Sequence, residues 1–274
     1  YADVLLPAAF WSEKSGVYGC SERRSQYMEK VIEPQGEAVW DAFILRDLAK
    51  RMGFEKEFAK YRTGEDIWNE YISLTKGRDM DLSGAPYERL KKVRGLTWPV
   101  PSIDHPGTYK RFMEGDPLYD ALPIEKKVNR RMYFYGKPDG KAVVWARPDK
   151  GPEEPTDAEY PFALSTGRIL EHWHTLTMTG TVAELNRAVP KAYVEIHPDD
   201  AKRLGIANKD QVIVETRRGN LKIEARVIDR PSPGTIFIPF HWREWMANLL
   251  TIDAFDPGSK EPEYKVCAAR VRKA

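Results

Sequence analysis

Five short runs of strand-forming residues in the second half of the chain constrain its fold more than any other feature. They lie at 162–166, 193–196, 211–217, 221–227 and 235–239. Short runs rich in Val, Ile, Phe and Tyr are typical of β-strands. The sequence Arg217-Arg218-Gly219-Asn220 between the third and fourth runs is typical of a hairpin turn. We therefore predict a compact β-barrel of about six or seven strands over 162–274.

The first half of the chain has helical patterns instead. Apolar residues recur at helical spacing between Trp40 and Met52, which predicts an amphipathic helix that ends at Gly53. Further helices are predicted over 66–76, over 87–93 and, inside the barrel region, over 198–205. The opening residues Ala-Asp-Val-Leu-Leu-Pro predict a strand that terminates a parallel sheet, so further strands are expected before it.

A segment rich in Pro, Gly and charged residues, at 136–161, separates the two halves. Such a composition is typical of a domain boundary. We place the boundary near residue 155. Residues 1–155 are then part of an α/β scaffold, and residues 156–274 form a C-terminal barrel.

Composition excludes several classes of function. The formal net charge is +2 with acidic and basic residues interspersed, so neither nucleic acid nor an anionic membrane is indicated as a partner. No apolar run is long enough to cross a bilayer. The two cysteines, Cys20 and Cys267, cannot supply a four-cysteine iron-sulfur or zinc site, and we expect both thiols to be free.

The segment 165–179 is the richest in groups that could carry chemistry. It follows a predicted strand and reads Ser-Thr-Gly-Arg-Ile-Leu-Glu-His-Trp-His-Thr-Leu-Thr-Met-Thr. Its hydroxyls, the backbone amides near Gly167 and the guanidinium of Arg168 suit the oxygens of a phosphate or a pterin. The segment therefore predicts a site for an anionic ligand rich in heteroatoms.

His172 and His174 lie two residues apart, and an extended backbone would place both imidazoles on one face. Three interpretations stay open: contact with an organic cofactor, ordinary hydrogen-bonded histidines, or a metal site. The lack of a third Cys, Asp or His at ligand spacing argues against the metal.

The sequence 166–175, Thr-Gly-Arg-Ile-Leu-Glu-His-Trp-His-Thr, followed by Met178 and Thr179, resembles the signature that opens the C-terminal domain of the periplasmic nitrate reductases. These enzymes belong to the dimethyl sulfoxide reductase superfamily of molybdopterin oxidoreductases. The resemblance continues through 196–198, 200–201, 216–219, 248–254, 256–257 and 259–261, and through 2–3, 6–7, 11, 13–14, 16, 18–19, 22–24, 26, 36–37 and 41. Residues 61–150 carry no motif that we can place.

The resemblance implies a bis-molybdopterin guanine dinucleotide cofactor with molybdenum, whose cysteine ligand and neighbouring 4Fe-4S cluster would be supplied by upstream sequence. It implies no catalytic residue and no metal ligand in this chain. The implied cofactor contacts are Lys14, Asp41, Thr166, Gly167, Arg168, Ile169, Leu170, Glu171, His172, Trp173, His174, Thr175, Asn248 and Lys265, with Phe240 near the substrate. The two lysines would neutralise phosphate or pterin oxygens, and Asp41 would accept from a guanine edge.

Without the shared motif, Lys14 and Lys265 would be interpreted as surface charges, Asp41 as an acid at a helix N-terminus and Phe240 as a core aromatic. Two positions depart from the family. Cys20 stands where Asn is more frequent, and His241-Trp242-Arg243 follows Phe240 where another Phe or a small polar residue is common. The second departure predicts an altered substrate funnel.

A further expectation concerns residues that are distant in sequence. If a C-terminal strand returns beside the first barrel strand, residues 166–175, Asn248 and Lys265 converge on one concave surface. These residues are far apart along the chain, so their convergence does not follow from sequence proximity. Their positions in the structure therefore test the predicted barrel.

The resemblance implies the C-terminal part of a nitrate reductase catalytic subunit that acts in the periplasm. Its partners would be the N-terminal remainder of that subunit and a cytochrome or other electron donor. Two alternatives stay open. One is a related oxidoreductase acting on formate or another oxyanion, and the other is a non-catalytic module that binds a pterin dinucleotide and docks on a separate catalytic chain.

Overall fold

A computed structural model describes residues 2–127, 132–135, 137–146 and 148–274. The chain divides into two compact units, Tyr1–Trp145 and Ala146–Ala274, and each has its own apolar core. The division falls inside the segment rich in Pro and Gly at 136–161. Among the described residues, no helix combines the length and the apolar character that crossing a membrane requires.

Most of the regular secondary structure in the described part of the first unit is helical. Its helices are α1 (Asp41–Arg51), α2 (Glu55–Phe58), α3 (Gly64–Thr75), α4 (Tyr87–Lys92), α5 (Pro117–Asp120) and α6 (Ile124–Lys127). Strands β1 (Gly16–Gly19), β2 (Arg24–Met28) and β3 (Leu96–Thr97) form an antiparallel sheet in that order. The three helices predicted in this unit are confirmed as α1, α3 and α4. Helices α2, α5 and α6 are single turns, too short for periodicity to reveal.

Helix α3 shows how local sequence sets an element of this unit. The hydroxyl of Thr63 accepts a hydrogen bond from the Asp66 N–H at 3.2 Å, and the Asp66 carboxylate accepts one from the Thr63 N–H at 2.7 Å. This reciprocal capping satisfies backbone donors at the start of the helix. On its buried side Ile72 joins a core with Leu82, Ala85, Leu90, Leu96 and Val100.

The predicted opening strand is wrong. Residues 2–7 form no strand. Within the described chain, the β-pairing next to this segment is a single bridge between Ala8 and Val39. Val4, Leu5 and Leu6 are largely exposed. A strand needs a neighbour for its backbone N–H and C=O groups. The described residues provide that neighbour only at Ala8, so apolar composition alone does not produce a strand here.

The second unit is built on a closed barrel. Its strands are β4 (Phe162–Gly167), β5 (Tyr193–Ile196), β6 (Gln211–Glu215), β7 (Asn220–Val227), β8 (Thr235–Pro239) and β9 (Val266–Lys273). They close in the order β4-β8-β5-β7-β6-β9. The pairs β4–β8 and β5–β7 are parallel, and the remaining pairs are antiparallel. The predicted barrel is confirmed, with six strands.

Helices α7 (Ala183–Ala188) and α8 (Pro198–Leu204) lie between barrel strands along the chain. Helix α8 is the one predicted over 198–205. Pro198 is its first residue, and His197 caps it by accepting a hydrogen bond from the Asp199 N–H at 3.2 Å. Gly205 ends it with a φ of 64°, a left-handed conformation that glycine adopts without a Cβ clash.

Alternate residues of the strands fill the barrel core. The buried positions include Phe162 and Leu164 on β4, Val212 and Val214 on β6, and Ile236 and Ile238 on β8. Full burial of a side chain of this size stabilises the fold by roughly 1.5–3 kcal/mol. The inward and outward alternation in these runs is therefore what makes them strands of a barrel.

Strand β9 was not among the predicted runs, yet it closes the barrel between β4 and β6. Its sequence Val-Cys-Ala-Ala-Arg-Val-Arg-Lys holds few β-branched and no aromatic residues, which leaves a weak strand signal. Cys267 is buried in the core, and both it and the exposed Cys20 are free thiols as expected.

Candidate functional site

The polar segment singled out in the sequence is a loop at the end of β4. The side chain of His172 anchors this loop from inside and is 4% exposed. Its Nε2 lies 2.8 Å from the carbonyl oxygen of Val189, and its Nδ1 lies 3.3 Å from Oγ1 of Thr179. The same hydroxyl oxygen accepts a hydrogen bond from the Trp173 N–H at 3.1 Å. His172 is thus an ordinary hydrogen-bonded histidine of the loop.

Trp173 and His174 lie on the solvent side of the loop. The backbone turns at His174, where φ is 38°, so the extended geometry that would align His172 with His174 does not form. Within the residues that the structure describes, no group of three His, Cys, Asp or Glu side chains could hold a metal ion. The interpretation of His-Trp-His as a metal site therefore has no geometric support.

The outer side of the loop presents hydrogen-bond donors. Arg168 is exposed and forms no ion pair or hydrogen bond with another residue of the described chain. In the same part of the structure, the backbone N–H groups of Glu171, His174 and Thr175 donate to no protein acceptor. Donors fixed on a folded loop and left unpaired suit an anionic ligand, because they need no rearrangement to bind it.

Strand β9 brings the distant C-terminal segment to this loop. It pairs with β4 so that Ser165 faces Val266. The Thr166 hydroxyl donates to the carbonyl oxygen of Tyr264 at 2.9 Å, and the Thr166 N–H donates to that of Lys265 at 3.2 Å. The strand return that the convergence expectation required is therefore present.

A cavity of about 620 Å³ joins three of the predicted positions. Thr175, Phe240 and Asn248 line it together with Tyr264. A hydroxyl, an aromatic ring and an amide thus face one space although they come from separate segments. Phe240 also packs partly against the barrel core, as expected of a core aromatic, and its position near the substrate stays a prediction.

The three residues after Phe240 do not share one environment. His241 and Trp242 are buried, whereas Arg243 is exposed at the rim of the 620 Å³ cavity. All three residues nevertheless line that cavity, so this departure from the family changes its wall, and the altered substrate funnel stays a prediction.

Other predicted residues face separate cavities. Lys265 borders one of about 370 Å³, which is also lined by Lys150 and by the four acidic residues Glu153, Asp256, Glu261 and Glu263. Another, of about 650 Å³, is lined by Arg168, Ile169, Leu170 and Glu171. The loop therefore contributes to two cavities, and Lys265 borders a third. The predicted convergence of 166–175, Asn248 and Lys265 on one concave surface is wrong except for Thr175 and Asn248, which share the 620 Å³ cavity.

Sequence reasoning missed the charged group on the far wall of the 650 Å³ cavity. Glu195 is buried there and accepts a hydrogen bond from Arg230 at 2.7 Å. Burial raises the pKa of Glu195, while Arg230 and Arg226 oppose the shift. Arg226 lies over the ring of Tyr193, with its guanidinium carbon 3.7 Å from the ring centroid. Glu195 is the one charged residue of β5, whereas Lys222, Glu224 and Arg226 alternate along β7 in a pattern typical of a solvated face. Only the pairing of the two strands shows that Glu195 and Arg226 share a cavity wall.

In the first unit, Lys14 and Asp41 form an ion pair with each other. Asp41 is the first residue of α1, where the helix dipole favours a carboxylate. The Lys14 side chain is only 19% exposed and lines a cavity of about 480 Å³. Lys14 is therefore not an isolated surface charge.

Six aromatic residues line that cavity: Tyr18, Trp40, Trp68, Tyr71, Tyr87 and Trp98. The Tyr87 hydroxyl is buried and has no hydrogen-bond partner in the described chain, and burial raises its pKa to about 12. A buried donor left unpaired costs roughly 1–3 kcal/mol, which a ligand acceptor would offset. A signal for this cavity was present in the sequence, since Trp68 and Tyr71 lie three apart on α3.

Two family models match the chain. The model described as "Molydopterin dinucleotide binding domain" matches residues 162–268, which include all six barrel strands at least in part. The model described as "Molybdopterin oxidoreductase" matches residues 1–51, which include Lys14 and Asp41.

Curated relatives match over the whole chain. The chain is 50% identical to the "Periplasmic nitrate reductase" of Desulfovibrio desulfuricans over 275 residues and 50% identical to the "Nitrate reductase" of Symbiobacterium thermophilum over 277 residues. It is 40% identical over 272 residues to the "F420-dependent formate dehydrogenase 1 subunit alpha" of Methanococcus maripaludis, and this match covers 99% of the chain. The chain spans 36%, 36% and 37% of the length of these three proteins.

A solved structure shares the fold. "Acetylene Hydratase from Pelobacter acetylenicus" aligns with a TM-score of 0.65 over 98% of this chain and 38% of its own, at 22% sequence identity. At that identity, the likeness concerns the fold alone.

Proposed function

This chain belongs to the molybdopterin oxidoreductase family, and on that premise we propose that it is the cofactor-binding C-terminal part of a nitrate reductase catalytic subunit. The observation that carries the proposal is the loop 167–175. It is anchored from inside by His172 and presents unpaired donors on its outer side. We propose further that residues 156–274 bind the pterin dinucleotide and that residues 1–155 are part of the central cofactor-binding domains.

The donor set fits bis-molybdopterin guanine dinucleotide. Pterin and guanine are planar and rich in heteroatoms, and their linking phosphates are anionic. Arg168, Thr175 and Asn248 would hold such a ligand through a guanidinium, a hydroxyl and an amide, and Lys265 would neutralise a phosphate or pterin oxygen. When bound, the cofactor and its molybdenum supply the chemistry that takes an oxygen atom from nitrate.

The first unit fits the same ligand class. The unpaired Tyr87 hydroxyl and the aromatic walls of the 480 Å³ cavity suit a planar ring. Lys14, which pairs with Asp41, lines that cavity. In our proposal Asp41 accepts from a guanine edge and Lys14 contacts the cofactor, while in the second unit Phe240 borders the path of the substrate.

The proposal implies partners. The remaining N-terminal part of the catalytic subunit would supply the cysteine ligand and the 4Fe-4S cluster, and a cytochrome or another subunit would donate electrons. The relative from Desulfovibrio desulfuricans is named as periplasmic, which supports the same location for this protein.

A formate dehydrogenase is the second candidate. The formate dehydrogenase subunit of Methanococcus maripaludis matches nearly the whole chain at 40% identity, so the same cofactor contacts could serve formate oxidation. A pterin-dinucleotide-binding module without its own catalysis is a third outcome of the experiment below.

The experiment replaces Lys265 by alanine in the full-length protein that contains this chain. Loss of one charge-assisted hydrogen bond of about 1.5–3 kcal/mol should lower cofactor affinity on the order of tenfold or more. Molybdenum by elemental analysis and released guanine nucleotide measure occupancy. Lys202→Ala, on the exposed side of α8, is the matched control.

Two activity assays on the unmodified protein separate the candidates. Nitrate reduction with reduced viologen supports the proposal, and formate oxidation without nitrate reduction supports the second candidate. Cofactor content without either activity supports the binding module. Unchanged molybdenum content and activity in Lys265→Ala would show that Lys265 is a solvated surface charge with no part in cofactor binding.

A further inference from the structure

The buried imidazole of His241 bonds to both ends of the loop 167–175. His241 follows Phe240 after β8, and its side chain is 1% exposed. Its Nδ1 lies 2.6 Å from the carbonyl oxygen of His174, and its Nε2 lies 3.0 Å from the backbone nitrogen of Ile169. One side chain therefore connects the two ends of the segment that presents the donors.

The two partners of His241 determine its tautomer. The Ile169 N–H is a donor, so Nε2 must accept and carries no proton. The His174 carbonyl oxygen is an acceptor, so Nδ1 must donate and carries the proton. A neutral imidazole protonated at Nδ1 satisfies both bonds, and the imidazolium would lose the bond to Ile169.

The surroundings of His241 hold the ring in place. Its centroid lies 5.0 Å from that of Phe240, 5.7 Å from that of Trp242 and 6.1 Å from that of His172. Burial lowers the pKa of His241, and the neighbouring charges of His172, Arg168 and His174 lower it further, whereas the bond to the His174 carbonyl opposes the shift. The neutral form is therefore the stable one near neutral pH.

The loop itself has conformations that need support. His174 and Leu176 have φ values of 38° and 68°, in the left-handed region that residues with a Cβ rarely adopt. Such conformations persist where surrounding bonds determine them. The bond from His241 ends on the carbonyl of His174, at the first of these two residues.

We propose that His241 is a positioning residue that fixes the conformation of the loop 167–175 through its two hydrogen bonds, and so holds the donors of Arg168, His174 and Thr175 in place for the ligand. The nature of that ligand rests on the proposed function, whereas the positioning of the loop does not. His241 acts through the loop and need not touch the ligand.

Backbone hydrogen exchange of this chain tests the positioning without any cofactor. In His241→Phe, which removes both bonds, exchange at Ile169 and its neighbours in the loop should accelerate by about tenfold or more while β6 and β7 keep their protection. His241→Gln can place its carbonyl oxygen near the position of Nε2, so it should restore protection at Ile169. His197→Asn is the control, because Asn preserves the cap of α8 and the loop should not change.

Unchanged loop exchange in a folded His241→Phe would overturn the proposal, and so would equal acceleration throughout the barrel. If that variant does not fold, ¹⁵N resonances of the His241 ring in the unmodified chain decide. The expected signature is a protonated Nδ1 and an unprotonated Nε2, and the opposite tautomer would overturn the proposal.

Cofactor content of the full-length protein separates this inference from the proposed function. If loop exchange rises in His241→Phe and molybdenum content falls, both hold. If loop exchange rises and molybdenum content stays the same, the positioning of the loop holds and the assignment of its ligand fails.

Discussion

Gly167, the last residue of β4, lies against the ring of Phe237 on the neighbouring strand β8. A Cβ at this position would lie 2.9 Å from Cε2 of that ring, closer than carbon atoms pack. In Gly167→Ala the ring or the strand end must move, so we expect the free energy of unfolding to fall by about 1–2 kcal/mol. Urea unfolding followed by circular dichroism measures the change.

Replacing the opposing ring of Phe237 by the smaller side chain of leucine provides the control for this residue. In the Phe237→Leu background, the added methyl group should cost less than it does in the unmodified protein. An equal cost in both backgrounds would show that Phe237 is not the obstacle.

At the scale of elements, Glu154 joins the segment before β4 to the β6–β7 turn and to β9. Its carboxylate accepts two hydrogen bonds from Arg218, both 2.7 Å, and one of 2.9 Å from Arg217. The backbone N–H of Ala268 donates to it at 3.1 Å. The side chain is 11% exposed. The bonds from Arg218 above all, then those from Arg217 and Ala268, lower the pKa of Glu154 to about 2 despite its burial.

This shift predicts a pH-dependent contribution to stability. The pKa in the folded state is below the ordinary value of 4.5, so the ionised Glu154 stabilises the fold above pH 4.5, and the contribution is lost as the pH falls towards 2. Glu154→Gln should lower the free energy of unfolding by about 2 kcal/mol at neutral pH. Urea unfolding at several pH values measures whether the difference shrinks in acid.

The matched control for this element is Glu184→Gln on α7. Glu184 is mostly exposed and pairs with Arg187 on the same helix, so its loss should change stability little at any pH. A difference between Glu154→Gln and the unmodified protein that stays constant from neutral pH to pH 2 would contradict the assignment of the shift.

At the scale of the whole molecule, each compact unit has one cysteine. The Cys267 sulfur is buried and lies 3.4 Å from the carbonyl oxygen of Leu250, whereas Cys20 is exposed. A typical iron-sulfur cluster takes four protein ligands, most often thiolates. We therefore expect this chain, reconstituted with iron and sulfide, to show no visible cluster absorbance and to reduce no nitrate with reduced viologen.

Cys20→Ser should have the same spectrum as the unmodified chain, which controls for iron bound loosely by the exposed thiol. Cluster absorbance that depends on Cys20, or nitrate turnover by this chain alone, would contradict its proposed role as one part of a larger catalytic subunit.

Short-range patterns in the sequence were sufficient for much of the molecule. Short runs of strand-forming residues predicted β4 to β8, helical spacing predicted α1, α3 and α4, and Pro198 with Gly205 predicted the limits of α8. These features depend on neighbours within a few residues, so the local sequence contains their cause. The motif at 166–175 also indicated the family, because its residue types at that spacing are specific.

Long-range pairing decided the rest. The sequence could not show that β9 closes the barrel, that the opening apolar segment forms no strand, or that Leu45 on α1 is 61% exposed. Lys14 pairs with Asp41, and the Lys265 side chain faces a different cavity from Asn248. Each outcome depends on contacts between segments that are distant in the chain, which local sequence patterns do not contain. The bonds of His241 to the loop have the same origin, since the parallel pairing of β8 with β4 places the two segments side by side.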